Sequence, residues 1–283
     1  MPSRTTSSTS PIPGDGEAVC VRRHVERFNL GTNVLDEDWI ASEIPVALHY
    51  NGQAHVVMMA TPMDLEDFAL GFSLSEAIIE SADECRSIVV YQRLEGIEIG
   101  VRIPDIRAET IAQRQRNLSG RSSCGLCGTQ QLEDVVRHPA PVGEGPVVPG
   151  ATLHRALAAL DAAQPLNSRT GATHAAAWSD LGGNLVLVRE DVGRHNALDK
   201  LIGAMVARST PLQEGFLVLT SRASYEMVQK AATFGISLVV AISAPTSLAI
   251  HLAESTGVTL VGFARATSHV VYTHPQRIGH SGS

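Results

Sequence analysis

The sequence predicts an α/β protein in which an α/β domain, 151–278, follows a smaller α+β domain, 19–138. In the second half, short apolar runs rich in β-branched residues alternate with segments of helical periodicity, which is typical of a sheet with parallel strand pairs. In the first half, a hairpin signal and a helix signal lie among further strand patterns. Between the halves, 139–150 contains four prolines and three glycines, and it is predicted as a linker.

The first half is predicted to contain one hairpin, one long helix and three other strands. Asn51-Gly52 lies between two alternating apolar runs, which is the strongest short hairpin signal. Thr61-Pro62-Met63-Asp64 has the residue types of a helix start, and apolar residues then recur on one helical face to about Ile79. The segment 108–118 is polar and has no predicted element. The other predicted strands are 20–28, 88–91 and 97–103.

The second half is predicted to begin with a helix over about 152–163, after which strands and helices alternate. The predicted strands are 173–178, 185–188, 216–219, 238–242 and 259–263. Helical patterns occupy the intervals around 198–205, 227–234 and 248–253. Gly257 lies where the last of these helices should end.

Composition excludes several broad classes of protein. The chain has 283 residues and a net charge of −7, which argues against a broad nucleic-acid surface. No apolar run approaches the ~20 residues that a membrane span requires. Residues 1–18 are rich in Ser, Thr, Pro and Gly and are predicted to be a disordered tail, and 279–283 a second tail. Four cysteines and no export signal predict a cytoplasmic protein.

The most reactive stretch is the C-x-x-C motif of Cys124 and Cys127, in which a glycine follows each cysteine. Nearby arginines and a predicted helix start after Cys127 favour the thiolate. The segment 108–128 is expected to be mobile because it offers little apolar surface for burial. Four interpretations stay open: two buried thiols, half of a zinc site, a thioredoxin-like redox pair, or a persulfide carrier. Zinc is disfavoured because no second ligand pair is evident.

Polar loops follow three of the predicted strands, at 189–196, 220–226 and 243–247. The carboxyl ends of strands in an open α/β sheet form the ligand-binding edge, and helix N-termini with arginines receive phosphate. We therefore expect a phosphorylated ligand there, although each loop alone could be a helix cap. His174 is predicted to face the same region. Hydrolytic deamination is rejected, since the sequence lacks the H-x-E and P-C-x-x-C pair. The candidate binding residues in these loops are Arg194, His195, Ser221 and Arg222.

Several long motifs resemble one family, the formate dehydrogenase accessory sulfurtransferases (FdhD). They are SSCGLCG, EDVGRHNALDK, TSRASYEMVQKAA, the segment from GF to VVYTHPQR, and NGQAHVVMMATPMDLEDFALGFSLSEAII, and the likeness covers about 20–278. The resemblance implies a cytoplasmic homodimer with a cytidine-deaminase-like α/β domain. It also implies that Cys124 carries a persulfide, with Cys127 as its partner in the motif. Sulfur would come from a cysteine desulfurase of the IscS type and pass to the molybdenum (or tungsten) bis(guanine dinucleotide) cofactor of formate dehydrogenase.

By the same resemblance, the cofactor-binding segment follows the last core strand, and GDP should mimic the ligand. Its residues are Phe263, Ala264, Arg265, Ala266, Thr267 and Ser268. Family members often have Gly and Arg within this segment, where this chain has Thr267 and Ser268; Arg265 keeps a positive charge there, and a backbone-mediated contact remains compatible with this sequence. No metal, nucleic-acid or membrane site is expected. Two alternatives remain: a cofactor chaperone without sulfur chemistry, and a C-x-x-C thiol-disulfide redox enzyme.

Overall fold

The computed structural model describes residues 19–119 and 139–279, and it confirms the α/β class. The described strands are β1 Cys20–Asn29, β2 Thr32–Ala41, β3 Ile44–Tyr50, β4 Gln53–Ala60, β5 Ser87–Arg93, β6 Gly96–Arg102, β7 Val148–Pro149, β8 His174–Asp180, β9 Leu185–Asp191, β10 Gly215–Leu219, β11 Leu238–Ala241, β12 Thr259–Gly262, β13 Val270–Val271 and β14 Ile278–Gly279. The described α-helices are α1 Leu65–Ser75, α2 Asp105–Ser119, α3 Gly150–Leu160, α4 Pro165–Thr170, α5 Arg194–Ala207, α6 Tyr225–Phe234 and α7 Ser247–Thr256.

The largest sheet has six strands in the order β13-β12-β11-β10-β8-β9. Its central pairs β10–β11 and β11–β12 are parallel, as the alternation of strands and helices predicts, whereas β8, β9 and β13 join antiparallel. One apolar cluster, which includes residues of α5, α6 and α7, covers one face of this sheet. A second cluster, with α3, covers the opposite face. Both faces are therefore buried, which explains why the central strands are continuously apolar.

The first half forms a four-stranded sheet in the order β4-β3-β6-β5. The predicted hairpin is confirmed: Asn51 and Gly52 both have positive φ, 50° and 84°, as a tight turn between twisted strands requires. Among the described strands, β1 and β2 pair only with each other, and they form an arm whose tip exposes Phe28, Leu30 and Leu35. No helix described here is long and apolar enough to cross a membrane.

Helices α1 and α5 join the first half to the six-stranded sheet, and they cross at two glycines. A Cβ added at Gly71 would lie 1.7 Å from the backbone oxygen of Asp199. One added at Gly203 would lie 2.0 Å from the backbone oxygen of Asp67. Because only glycine permits this approach, a single apolar cluster extends from the four-stranded sheet to the six-stranded one. The domain boundaries remain an interpretation, although the buried Val148 shows the proposed linker packed against the core.

Several local predictions differ from the structure. The Thr61 hydroxyl does not cap α1; it accepts a hydrogen bond from the Val192 amide at 3.1 Å, and the helix begins after Asp64, whose φ is 51°. Helix α1 ends at Ser75 rather than near Ile79. Helix α2 occupies the polar segment for which no element was predicted, and β2 was also missed. Both lack a strong apolar period, so hydrophobic patterning could not find them.

Candidate functional site

The strand ends at which a ligand is predicted to bind form one continuous edge of the six-stranded sheet. His174, the first residue of β8, pairs with Asp191, the last residue of β9, because the two strands are antiparallel. Next along the edge, the Thr220 amide donates to the Ala175 carbonyl at 3.1 Å. The loops after β10, β11 and β12 are joined in turn, since the amide of Phe263 donates to the carbonyl of Ser243 at 3.2 Å. The ends of five strands therefore form one rim.

At the β9 end of the rim, the N-terminus of α5 presents Arg194 and His195 to Glu226 of α6. The Nε2 atom of His195 lies 3.1 Å from Glu226 Oε2, and the Arg194 guanidinium lies 3.8 Å from the same oxygen. Burial and the neighbouring Arg194 charge lower the pKa of His195, and Glu226 opposes them only in part. Burial and Arg194 likewise lower the pKa of His174. Both imidazoles are therefore mostly neutral at pH 7.

Arg194 also contains an unsatisfied polar atom. Its Nε is buried and has no hydrogen-bond partner within the part of the chain that the structure describes. Burial of such a donor is costly unless a ligand or water accepts its hydrogen bond. The position is therefore suited to an anionic ligand.

Ser221 and Arg222 lie at the middle of the rim, after β10. Ser221 is buried, and its hydroxyl donates to the Arg222 carbonyl at 3.0 Å, so it shapes the loop. The Arg222 side chain is exposed, and it forms no ion pair among residues 19–119 and 139–279. Glu226, one turn further on, pairs with Arg194 and His195 instead. Arg222 is therefore a cation available for an external anion.

The segment 263–268 lies at the other end of the rim and turns back into β13. Phe263 has a φ of 47°, and its side chain is 49 % exposed. The Arg265 guanidinium donates to the carbonyls of Ile242 and Ala264, and the Arg265 amide donates to Ser268 at 2.7 Å. Arg265 therefore stabilises this turn through its hydrogen bonds, and it also places a positive charge at this end of the rim. Ala264 is buried, whereas Ala266, Thr267 and Ser268 are exposed.

The predicted binding residues share one edge but do not form one cluster. Four strand spacings separate β9 from β12, and at ~4.8 Å each they amount to about 19 Å. Arg194 and His195 therefore lie near one end, Arg222 near the middle and Phe263 near the other end. An extended ligand is required to contact all of them.

The other predicted site residues, Cys124 and Cys127, lie outside the described residues. Of the segment 108–128 that is expected to be mobile, 120–128 also lies outside them, whereas 108–119 belongs to helix α2. The two described cysteines are Cys20, which is buried, and Cys85, which is partly buried. Burial raises the pKa of the Cys85 thiol, so this residue is a poor nucleophile at neutral pH.

Sequence reasoning missed two buried ion pairs that hold the rim helices in place. Lys200 is fully buried and lies 2.6 Å from Asp191 Oδ2, and it donates to the Thr61 carbonyl at 2.9 Å. Lys230 lies 3.0 Å from Asp199 and 2.8 Å from Glu76. The sequence does contain a signal for these pairs, because each of α5 and α6 has a lysine within an otherwise apolar helical pattern. A charged side chain that is buried at such a position requires a partner of opposite charge.

The Lys230 pair remains ionised at pH 7. Burial raises the pKa of Asp199 to about 6, against the opposing effect of Lys230. Burial alone would lower the pKa of Lys230, but the carboxylates of Asp199 and Glu76 outweigh it and raise that pKa. These pairs connect α5 and α6 to the first half of the chain, and they fix where the N-termini of both helices lie.

Comparisons with known proteins identify the class of the chain. The sequence profile of the FdhD/NarQ family matches residues 41–279. A sulfur carrier protein FdhD from Xanthomonas euvesicatoria is 54 % identical over 272 residues, which are 96 % of this chain and 95 % of that protein. A sulfur carrier protein FdhD from Cupriavidus necator is 50 % identical over 92 % of this chain and 90 % of its own length. The chain belongs to the FdhD/NarQ family, as its motifs predicted.

A solved structure agrees with this assignment. The crystal structure assigned to a formate dehydrogenase accessory protein from Desulfotalea psychrophila superimposes with a TM-score of 0.72 and is 25 % identical. The match covers 92 % of this chain and 99 % of that one. The fold described above is therefore shared with that protein.

Proposed function

We propose that this protein is a sulfurtransferase that carries persulfide sulfur on Cys124 from a cysteine desulfurase to a molybdenum bis(guanine dinucleotide) cofactor. The cofactor would then enter formate dehydrogenase in its sulfurated form. The observation that carries the proposal is the match at 50–54 % identity to relatives named sulfur carrier protein FdhD, which spans nearly the whole chain. The likeness to a formate dehydrogenase accessory protein supports the recipient enzyme.

The loading step is a thiol-disulfide type of exchange that balances without an oxidant. The Cys124 thiolate attacks the terminal sulfur of the donor's persulfide, a new S–S bond forms, and the donor cysteine leaves as a thiolate. Arginines close to the motif in sequence favour the attacking thiolate. Cys127 would assist transfer or protect the loaded sulfur. Cys85 provides a matched control, because its thiol is partly buried with a raised pKa.

The decisive test is intact-mass spectrometry after incubation with a desulfurase and cysteine. One extra sulfur is expected on the wild type, on Cys85→Ala and on Cys127→Ala, and none on Cys124→Ala. Formate dehydrogenase maturation should be lost in Cys124→Ala and reduced less in Cys127→Ala. Loading that survives Cys124→Ala would reject the mechanism. Equal loss of maturation in both variants, with a Cys124–Cys127 disulfide during turnover, would favour the redox enzyme. Normal maturation in both would favour a chaperone without sulfur chemistry.

The rim is proposed to bind the guanine dinucleotide portion of this cofactor as substrate. Its residues fit a diphosphate: Arg222 has no described ion-pair partner, the buried Nε of Arg194 lacks an acceptor in the described chain, and two helix N-termini face the same edge. GDP should occupy only part of the ~19 Å rim. Phe263 is the exposed aromatic side chain that could cover the base.

Calorimetry with GDP tests the assignment of Arg222. A charge-assisted hydrogen bond contributes about 1.5–3 kcal/mol, so Arg222→Ala should weaken GDP binding roughly ten- to a hundredfold. Arg208→Ala is the matched control, because Arg208 is exposed at the opposite end of α5 from the rim. Unchanged GDP affinity in Arg222→Ala with a lowered melting temperature would assign Arg222 to the scaffold.

The assembly and location of the protein belong to the same proposal. A homodimer in the cytoplasm, in contact with a desulfurase of the IscS type and with the formate dehydrogenase apoprotein, follows from the family resemblance. Light scattering coupled to size-exclusion chromatography measures the oligomeric state directly. A monomer at micromolar concentration would contradict the dimer while leaving sulfur transfer untouched.

A further inference from the structure

A cavity of about 200 Å³ lies between the first half of the chain and helix α6, next to the end of the rim that contains His195. Met58 of β4 and Phe72 of α1 form apolar parts of its wall, and Glu226 and Gln229 of α6 add a carboxylate and an amide. The volume equals that of roughly seven water molecules, so one ring system fits where a whole nucleotide does not.

The side chain of Gln229 indicates that this cavity is a binding site. Gln229 is only 7 % exposed, and its side-chain amide forms no hydrogen bond with any residue of 19–119 or 139–279. The residue lines the cavity, so the amide is accessible from there. A buried amide without partners is costly, and a ligand in the cavity supplies an acceptor for its N–H groups and a donor for its oxygen.

Glu226 provides hydrogen-bond acceptors beside this amide. It precedes Gln229 by three residues, so the two side chains are neighbours on one face of α6. The Oε2 atom of Glu226 accepts hydrogen bonds from His195 Nε2 at 3.1 Å and from the Ser224 hydroxyl at 3.3 Å. Its Oε1 atom accepts none from the part of the chain that the structure describes. One helix face therefore offers a carboxylate that accepts and an amide that donates.

Lys230 also lines the cavity, but protein groups already neutralise its charge. Its Nζ lies 3.0 Å from both carboxylate oxygens of Asp199, 3.0 Å from the Ser75 hydroxyl and 2.8 Å from Glu76. An ammonium group has three protons, so these contacts occupy all of them. Because the carboxylates around the cavity repel an anion, the cavity favours a ligand group that donates hydrogen bonds over a phosphate.

We propose that this cavity binds the 2-amino-4-oxopyrimidine ring that guanine and pterins share. The ring presents two donors, its N–H and its exocyclic amino group, next to one acceptor, its carbonyl oxygen. The two donors bind the Glu226 carboxylate, and the carbonyl oxygen accepts from the Gln229 amide. Phe72 and Met58 cover the faces of the ring.

This inference rests on the proposed function, because a bis(guanine dinucleotide) cofactor of molybdopterin contains both guanine and pterin rings. It assigns one such ring to the end of the rim opposite Phe263. With the ring in the cavity, the phosphates of the ligand lie towards Arg194, whose Nε has no acceptor among the described residues. The cavity and the basic residues of the rim therefore bind different parts of one ligand.

Calorimetry with GDP and inosine diphosphate (IDP) tests the guanine assignment, because IDP lacks only the exocyclic amino group. The wild type should bind GDP roughly ten- to a hundredfold more tightly than IDP, since the amino group forms a charge-assisted hydrogen bond. Glu226→Ala should bind GDP and IDP equally. The matched control is Glu214→Ala, because Glu214 is exposed just before β10, and this variant should retain the wild-type preference.

Biopterin, which carries the same ring without phosphate, tests the pterin assignment through its own fluorescence. Gln229→Leu should weaken binding about two- to tenfold through the loss of one neutral hydrogen bond, whereas Gln213→Leu, at an exposed position, should not. A loss for GDP alone identifies guanine as the occupant, and a loss for biopterin alone identifies a pterin. Gln229→Leu also serves as the second variant if Glu226→Ala does not fold.

Three results would overturn the proposal: neither probe binds, neither variant lowers the affinity for either probe, or Glu226→Ala weakens GDP, IDP and biopterin by the same factor, as a structural role would. Persulfide loading of Cys124, measured on the same variants, separates this proposal from the sulfurtransferase. Normal loading with any of these three results would reject the cavity as a base site and leave sulfur transfer intact. A wild type that binds both bases but does not load sulfur would reject the sulfurtransferase alone.

Discussion

The close crossing of α1 and α5 leads us to expect that Gly71→Ala destabilises the protein, whereas helix propensity alone would predict that it stabilises it. Alanine in place of a helical glycine ordinarily stabilises by about 0.5–1 kcal/mol. At Gly71, however, the added Cβ would lie 1.7 Å from the backbone oxygen of Asp199, whereas ordinary contact begins at 3.4 Å. To restore an ordinary contact distance of 3.4 Å, the two helices must move apart by about 1.7 Å. No flexible side chain can yield instead, because the nearest atoms all belong to the α5 backbone.

This separation has two energetic consequences. Overpacking of a core costs about 1–3 kcal/mol. Movement of the Asp199 backbone also disturbs its buried pair with Lys230, for which complete loss of one partner costs about 3–5 kcal/mol. We expect Gly71→Ala to lower the free energy of unfolding by about 3 kcal/mol, or the melting temperature by roughly 6–12 °C.

The measurement is differential scanning calorimetry of Gly71→Ala beside Gly143→Ala. A Cβ at Gly143 meets nothing within 4 Å and requires no positive φ, so this control should melt close to the wild type. A melting temperature of Gly71→Ala equal to or above the control would refute the close helix crossing.

Two further predictions concern the buried pairs. Lys200→Met leaves Asp191 buried without its cation, so urea denaturation should show a free energy of unfolding that is lower by about 3–5 kcal/mol. The double variant Lys200→Met/Asp191→Asn should recover part of this loss. A loss below 1 kcal/mol in Lys200→Met would contradict a stabilising ion pair. Because burial raises the pKa of Asp199 from 3.8 to about 6, its contribution to stability is present below pH 3.8 and is lost as the pH rises through 6. We therefore expect the difference in unfolding free energy between the wild type and Asp199→Asn to fall by about 1–3 kcal/mol as the pH rises from 4 to 6.5. A difference that stays constant over this range would show that the pKa of Asp199 is not raised.

The sequence predicted the elements whose pattern is local. The Asn51-Gly52 hairpin and the alternating strands and helices of the second half depend on turn chemistry and apolar periodicity, and both are visible without tertiary contacts. The common edge of the loops after β9, β10, β11 and β12 could also be predicted, since the carboxyl ends of parallel strands lie at one edge of a sheet. The hydrogen bond of Thr61 with Val192 and that of Lys200 with the Thr61 carbonyl could not be predicted, because 131 and 139 residues of sequence separate the partners. The hydrogen bond between His154 and His269, which are separated by 115 residues, escaped for the same reason.

Two of the motifs that carried the family resemblance, EDVGRHNALDK and TSRASYEMVQKAA, contain a predicted binding part and a structural part. Each begins at the rim and contains a buried lysine one to two helical turns further on, Lys200 in α5 and Lys230 in α6. Each lysine contacts the first half of the chain, through the Thr61 carbonyl or the Glu76 carboxylate. Movement of the first half away from either helix would break a hydrogen bond to a buried ammonium group, and such a bond contributes about 1.5–3 kcal/mol. The rim is therefore a preformed surface, and a ligand that binds there should leave the positions of α5 and α6 unchanged.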